Sequence, residues 1–139
     1  MSLWLMKSEP DVFSWDELVK KGKTGEPWTG VRNFTARENL KSMKKGERAF
    51  FYHTGDEKQV VGIIEIIKEA YPDKTDEKGV FVCVDTRAVE PFAKPVTLAT
   101  IKADAKLKVM VLAREPRLSV QPVTPEEWKT ICRMGGVKP

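Results

Sequence analysis

The sequence has little of what the common catalytic machineries need. It contains one histidine, His53, and two cysteines, Cys83 and Cys132, in 139 residues. It lacks a Gly-x-Ser-x-Gly elbow, a glycine-rich phosphate loop and a His-Glu-x-x-His helix. Both cysteines fall in apolar segments, where thiols are usually inert. Hydrolysis by a triad, a thiol or a zinc ion is therefore disfavoured, and we expect neither a metal nor another cofactor.

Long hydrophobic runs are also missing. The apolar stretch 60–64 ends at Glu65, far short of the roughly 18 residues of a membrane span. The stretch 3–6 is too short for the core of a secretory signal. We therefore expect a cytoplasmic protein with no membrane partner and with reduced cysteines.

Excess charge is modest. Twenty-four Lys and Arg against 20 Asp and Glu give a net charge of +4, which permits a phosphate-bearing partner without requiring one. Hydrophobic residues make up 41% and charged residues 32%, as in ordinary globular chains. A chain of this length can bury about two-thirds of its surface. We predict a single domain, residues 1–139, that folds as a monomer.

The hydrophobic pattern predicts short strands and helices without regular alternation. Runs of β-branched and aromatic residues predict strands at 3–7, 49–53, 60–67, 80–85 and 107–113, with an extended segment at 119–123. Three helices are predicted from capping-box pairs, Ser14 with Glu17, Thr35 with Glu38 and Thr124 with Glu127. A weaker helical pattern covers 98–104, after two prolines.

These elements favour an α+β fold in which a small mixed sheet curls into a barrel. A Rossmann sheet is disfavoured, because the βαβ units that it requires are absent. The apolar runs of the predicted strands suggest that both faces of the sheet are covered. Trp4 and Trp128 fall on strand and helix faces and are assigned to the core.

Polar and aromatic residues gather where the predicted elements end. They follow two strands, lie in a glycine-rich loop and line the late extended segment: Lys7, Ser8, Trp28, Arg32, Asn33, Tyr52, His53, Thr54, Arg117, Leu118, Ser119 and Gln121. Together they offer an aromatic face, amide and hydroxyl groups, and cations. A flat heterocycle with a neighbouring phosphate needs these groups.

Several ordered motifs resemble the EVE domain family, which is similar to the PUA-like barrels. They are Leu-Trp-Leu-Met-Lys-Ser-Glu-Pro at 3–10, Trp-Thr-Gly-Val-Arg-Asn at 28–33, Phe-Tyr-His at 51–53 and Arg-Leu-Ser-Val-Gln-Pro-Val at 117–123. The resemblance implies a PUA-like mixed β-pseudobarrel. It also implies a nucleic-acid partner, with DNA bearing methylated or hydroxymethylated cytosine preferred over RNA, and binding without catalysis by flipping the modified base into a pocket.

The resemblance also implies roles for single residues. Lys7 and Ser8 would meet the base, Trp28 would form a wall, Asn33 would pair with a base edge, Tyr52 and His53 would line the floor, and Ser119 and Gln121 would close the far side. On this basis Trp28→Ala should abolish recognition while leaving the fold intact. The chain departs from the family in a short connection after Tyr71 and in Thr54, where serine is common.

Other interpretations of the same residues stay open. Trp28 could belong to the core, His53 could be structural, and Asn33 could cap a helix. Lys7 or His53, with Asp56 nearby, could serve an enzyme that acts on RNA or on a nucleotide-like metabolite. The pocket could also be vestigial in a protein-interaction adaptor.

Overall fold

A computed structural model describes all residues, 1–139. Six strands form the sheet: β1 (Leu3–Ser8), β2 (Glu26–Pro27), β3 (Arg48–His53), β4 (Gln59–Pro72), β5 (Val82–Thr97) and β6 (Val120–Val123). Five helices surround it: α1 (Trp15–Lys20), α2 (Phe34–Ser42), α3 (Leu98–Ala103), α4 (Val111–Arg114) and α5 (Pro125–Gly135). None of the helices combines the length and hydropathy needed to cross a bilayer.

The strands form one mixed, open sheet in the order β2-β5-β4-β3-β1-β6. Strands β1 and β3 run parallel, and every other pair is antiparallel. The long β4–β5 ribbon contains several register shifts, which bend and twist a sheet. This curled mixed sheet confirms the predicted α+β class and agrees with a PUA-like pseudobarrel.

Both faces of the sheet carry a hydrophobic core, as the apolar runs suggested. Phe51 points to one face, where Trp15 and Trp28 pack edge-on against its ring at 5.7 and 5.3 Å. Phe50 points to the other, where Trp128 stacks on it at 3.9 Å. We call these the Phe51 face and the Phe50 face. Trp4 and Trp128 are buried in the two cores, as predicted.

Two of the three predicted capping boxes are present, at Ser14 and at Thr124. The box at Thr35 is wrong, because the cap is Asn33, two residues earlier, and α2 begins at Phe34. The Asn33 backbone is extended, and its Oδ1 accepts the Ala36 amide hydrogen at 2.9 Å. Asparagine is as good a cap as threonine, so the local pattern alone does not choose between them.

The predicted strand at 107–113 is wrong. Asp104 Oδ1 accepts the amide hydrogens of Lys106 and Leu107, which turns the chain, and the short helix α4 follows. Leu107 and Met110 are both buried at a spacing of three residues. That spacing fits a turn as well as the Val and Leu content fits a strand.

Strand β5 extends well beyond the predicted residues 80–85 and passes through Pro91 and Pro95. Prolines are tolerated in a strand when the missing amide hydrogen faces a free edge. Strand β2 pairs only with Asp85 and Thr86, so most of the outer edge of β5 lacks a neighbouring strand. The short edge strand thus explains why the prolines do not end β5.

Candidate functional site

The polar ends of β1 and β3 meet at one edge of the sheet. The two parallel strands pair Lys7 with Tyr52 and Ser8 with His53. Just beyond them, the Thr54 amide donates a hydrogen bond to the Ser8 carbonyl at 2.9 Å. Parallel strands end side by side, so two motifs 45 residues apart in sequence come together here, as predicted.

A cavity of about 490 Å³ opens on the Phe51 face at this edge. We call it the tryptophan cavity. Its walls are the turn after β1 and the loop after β2, and its lining residues are Lys7, Ser8, Glu9, Val12, Phe13, Glu26, Pro27, Trp28, Thr29 and Gly30. Ser8 Oγ donates to the Phe13 carbonyl at 2.6 Å, so its lone pairs can still accept a hydrogen bond. The cavity therefore combines aromatic surface with polar groups.

Trp28 belongs both to this cavity and to the core. Its side chain lines the cavity, yet the residue is only 7% exposed and its ring packs against Phe51. Its backbone amide donates to the Val84 carbonyl at 2.7 Å. The expectation that Trp28→Ala leaves the fold intact is therefore wrong, because truncating a buried tryptophan opens a cavity in the core.

Asp73 fixes the loop that carries Trp28. Its carboxylate is fully buried and accepts hydrogen bonds from the Gly30 amide at 2.9 Å, from Arg32 at 3.1 Å and from Thr75. Burial raises the pKa of Asp73, but the hydrogen bonds from Thr75, Gly30 and Arg32 outweigh it, and the pKa lies below its usual value. Arg32 also lies over the Phe81 ring, so this predicted site residue is held by the protein itself.

His53 connects helix α1 to the sheet. Its Nε2 lies 3.1 Å from the Trp15 amide nitrogen, which donates to it, and its Nδ1 lies 2.8 Å from Glu57 Oε1. This network places the ring proton on Nδ1, which donates to Glu57 and lowers the pKa of that carboxyl. The ring is buried, both nitrogens are engaged, and it lines none of the three main cavities. The geometry assigns His53 a structural role.

Two further cavities lie beside the tryptophan cavity. The first, of about 260 Å³, is the lysine cavity, lined by Lys7, Tyr52, Thr54, Gly55, Lys58, Leu98, Lys102, Leu112 and Pro116. The second, of about 310 Å³, is the arginine cavity, lined by Asn33, Thr35, Arg114, Glu115, Pro116, Arg117 and Leu118. Lys7 borders the tryptophan and lysine cavities, and Pro116 borders the lysine and arginine cavities. Lys7 Nζ donates to the Pro116 carbonyl at 2.9 Å, so the two residues that these cavities share are in direct contact.

The remaining predicted site residues are Gln121, Ser119 and Asn33. Gln121 is fully buried, its Nε2 donates to the Leu118 carbonyl at 2.8 Å, and its Oε1 has no partner. The Ser119 carbonyl accepts the Lys7 amide hydrogen at 2.8 Å. Neither residue lines one of the three main cavities. Asn33 borders the arginine cavity, but its side-chain oxygen, Oδ1, caps α2.

Comparison with known proteins identifies the family of this chain. The family model described as the EVE domain matches residues 2–134. The chain belongs to the EVE domain family. Human thymocyte nuclear protein 1 is 35% identical over 99% of this chain and 76% of the relative.

Solved structures agree. The NMR structure of a Rhodopseudomonas palustris protein is 57% identical, with a TM-score of 0.92 over 98% of this chain and 94% of that one. Human thymocyte nuclear protein 1, solved in complex with DNA that contains 5-methylcytosine, is 36% identical, with a TM-score of 0.92 over 100% of both chains.

In this EVE domain, sequence patterns did not indicate Lys58, Lys102 or Arg114 as site residues. Each is a single basic residue in a turn or a short helix, and no periodicity or motif marks it. Only the fold shows that they face the cavities. The contact between Asp73 and Arg32 was also missed, since 41 residues separate the two in sequence.

Proposed function

We propose that this EVE domain binds DNA that carries a methylated or hydroxymethylated cytosine. The modified base leaves the double helix and enters the tryptophan cavity, and no bond is made or broken. The observation that carries the proposal is the tryptophan cavity itself, which combines aromatic surface with polar groups and has one cation in its lining, Lys7, that forms no salt bridge. The choice of a modified cytosine is supported by the human relative that was solved with 5-methylcytosine DNA.

The cavity suits a flat base in size and in chemistry. Its volume of about 490 Å³ lies within the range of pockets for small ligands. Stacking a base on an aromatic side chain contributes about 1–3 kcal/mol. Lys7 uses one ammonium hydrogen on Pro116 and keeps two for a ligand, while Ser8 Oγ can accept. A base that leaves these half-buried groups unpaired is penalised, which contributes to the selectivity of the pocket.

The arginine cavity supplies positive charge beside this pocket. Arg117 is exposed and forms no salt bridge, and Arg114 uses its Nε on the Val109 carbonyl and also forms no salt bridge. Guanidinium groups suit phosphate oxygens because they can bind two of them at once. These arginines therefore strengthen binding to any nucleic acid and make it depend on salt. We place DNA ahead of RNA and the monomer ahead of larger assemblies.

Filling the tryptophan cavity tests the proposal without opening the core. Val12 is 75% exposed and lines the cavity, so Val12→Trp adds bulk there at little cost in stability. We expect this variant to lose at least tenfold in affinity for a 5-methylcytosine oligonucleotide, about 1.4 kcal/mol, and to keep its weaker affinity for the unmodified one. Fluorescence anisotropy at a fixed salt concentration measures both.

The control is Val19→Trp, which adds the same bulk to the exposed side of α1. It should bind like the wild type. Thr29→Trp, which fills the cavity from its other wall, should behave like Val12→Trp. If both cavity-filling variants keep the full preference for the methylated oligonucleotide, the base does not bind in this cavity.

A further inference from the structure

The charged side chains that line the lysine cavity are all positive. Lys7, Lys58 and Lys102 line it, and no Asp or Glu does. None of the three lysines takes part in a salt bridge. The acids of the adjoining turn do not compensate them, because Asp56 and Glu57 lie outside the lining and Glu57 is bonded to His53. Three ammonium groups around one concave space produce a strong positive potential there.

The floor of the lysine cavity contains a tyrosine hydroxyl without a protein partner. Tyr52 is only 3% exposed, and no protein group hydrogen-bonds to its hydroxyl, which reaches the cavity surface. Burial raises the pKa of Tyr52 to about 12, so the hydroxyl keeps its proton at neutral pH and can donate it. A hydroxyl that opens into a cavity can donate to water or to an acceptor bound there.

One residue at the rim of this cavity, Lys58, also has an unusual backbone conformation. Lys58 has a φ of +46° and is the only residue other than glycine with a positive φ. This conformation costs energy for any residue with a Cβ. Its carbonyl accepts the Leu98 amide hydrogen at 2.8 Å, which fixes the turn against the start of α3. The strained residue therefore lies against the start of α3, the helix that carries Lys102.

We propose that the lysine cavity is a phosphate-binding subsite, in which Lys7, Lys58 and Lys102 neutralise the phosphate and the Tyr52 hydroxyl donates to it. The cavity lies on the Phe50 face, opposite the tryptophan cavity, and Lys7 borders both. A strand that crosses this edge of the sheet would place a base on one side of Lys7 and a backbone phosphate on the other. In this form the inference rests on the proposed function. The same chemistry would bind a free nucleoside monophosphate.

The test uses Lys58→Gly combined with Lys102→Gln. Lys58→Gly removes an ammonium group and also relieves the positive φ, so it should not lower the melting temperature. Lys102 is exposed, so its replacement costs little. We expect affinity for methylated and unmethylated oligonucleotides to fall by the same factor, at least tenfold, with their ratio unchanged. The slope of log K against log salt should fall by about one for each lost phosphate contact.

Lys94→Gln is the matched control, because Lys94 is exposed and lines none of the three cavities. If the double variant matches this control in affinity and in salt slope, the subsite does not exist. If the wild type shows no preference for methylated DNA but the double variant still loses affinity and slope, the phosphate subsite stands and the proposed function fails.

Competition distinguishes the two sources of phosphate. The probes are deoxycytidine 5′-monophosphate and deoxycytidine, each added to the preformed complex with a labelled oligonucleotide. Displacement by the monophosphate alone, lost in the double variant, supports a site for free phosphate monoesters. No displacement by either probe, together with the lower salt slope, supports a site for the DNA backbone. Tyr52→Phe should weaken binding less than the double variant and leave the fold stable, because the hydroxyl has no protein partner to lose.

Discussion

Trp28→Ala is expected to lower the free energy of unfolding by about 3–5 kcal/mol and to abolish discrimination between methylated and unmethylated DNA. Trp28 is 7% exposed, packs edge-on against Phe51 and lines the tryptophan cavity, so one substitution removes a core contact and a pocket wall together. Urea denaturation measures the first effect. Anisotropy under conditions where the variant remains folded measures the second.

Trp128→Ala separates the two effects. Trp128 is equally buried, but it stacks on Phe50 in the opposite core and lines none of the three main cavities. We expect a similar loss of stability, with the preference for methylated DNA retained in the folded fraction. If Trp28→Ala and Trp128→Ala both retain that preference, Trp28 contributes to the fold alone. Trp28→Phe should fall between Trp28→Ala and the wild type in both measurements.

Asp73→Ala is expected to cost about 2–4 kcal/mol of stability and to weaken binding of the modified base. The buried carboxylate accepts hydrogen bonds from Gly30, Arg32 and Thr75, and its removal leaves these donors without their partner. Arg32 is partly exposed and can regain water, which keeps the cost below that of a fully buried pair. The loop that presents Trp28 then loses its anchor.

Asp76→Ala is the control, because Asp76 holds the same turn through the amides of Lys78, Val80 and Phe81 but makes no hydrogen bond to the Trp28 loop. It should leave base preference unchanged. If the two aspartate variants bind alike, Asp73 does not position the pocket.

Lowering the pH should remove part of the stability that the Asp73 carboxylate contributes. The pKa of Asp73 in the folded chain lies below its ordinary value of 3.8, so its contribution to stability is complete above that pH. The contribution is lost as the pH falls through the folded pKa. Wild-type stability should therefore drop more steeply below pH 4 than that of Asp73→Ala. Parallel curves for the two proteins would show that this carboxyl does not produce the drop.

Local patterns predicted the parts of the fold that local physics determines. The capping boxes at Ser14 and Thr124 and the apolar runs of β3 and β4 were found because a cap or a buried strand needs its residues close together in sequence. The prediction of a strand at 107–113 was wrong because the turn there depends on the Asp104 carboxylate. The predicted end of β5 was wrong because β5 has only a short edge strand beside it, which makes its prolines tolerable.

The candidate site was predicted in outline. The resemblance to the family brought together Lys7, Ser8 and Trp28, which do line one cavity. Arg32 and His53 were expected to meet the ligand, but Asp73, Glu57 and the Trp15 amide hold them. Those contacts join residues between four and 41 positions apart, and side-chain pairing of this kind leaves no periodic pattern in a sequence.

The most direct test of the central claim compares the affinity of the wild-type protein for one oligonucleotide in matched forms. The forms carry cytosine, 5-methylcytosine or 5-hydroxymethylcytosine at one position, single- and double-stranded, at one salt concentration. We predict at least a tenfold preference for one modified form, about 1.4 kcal/mol. Equal affinity for all forms, with a steep dependence on salt, would show binding to phosphates alone and would contradict a pocket for the modified base.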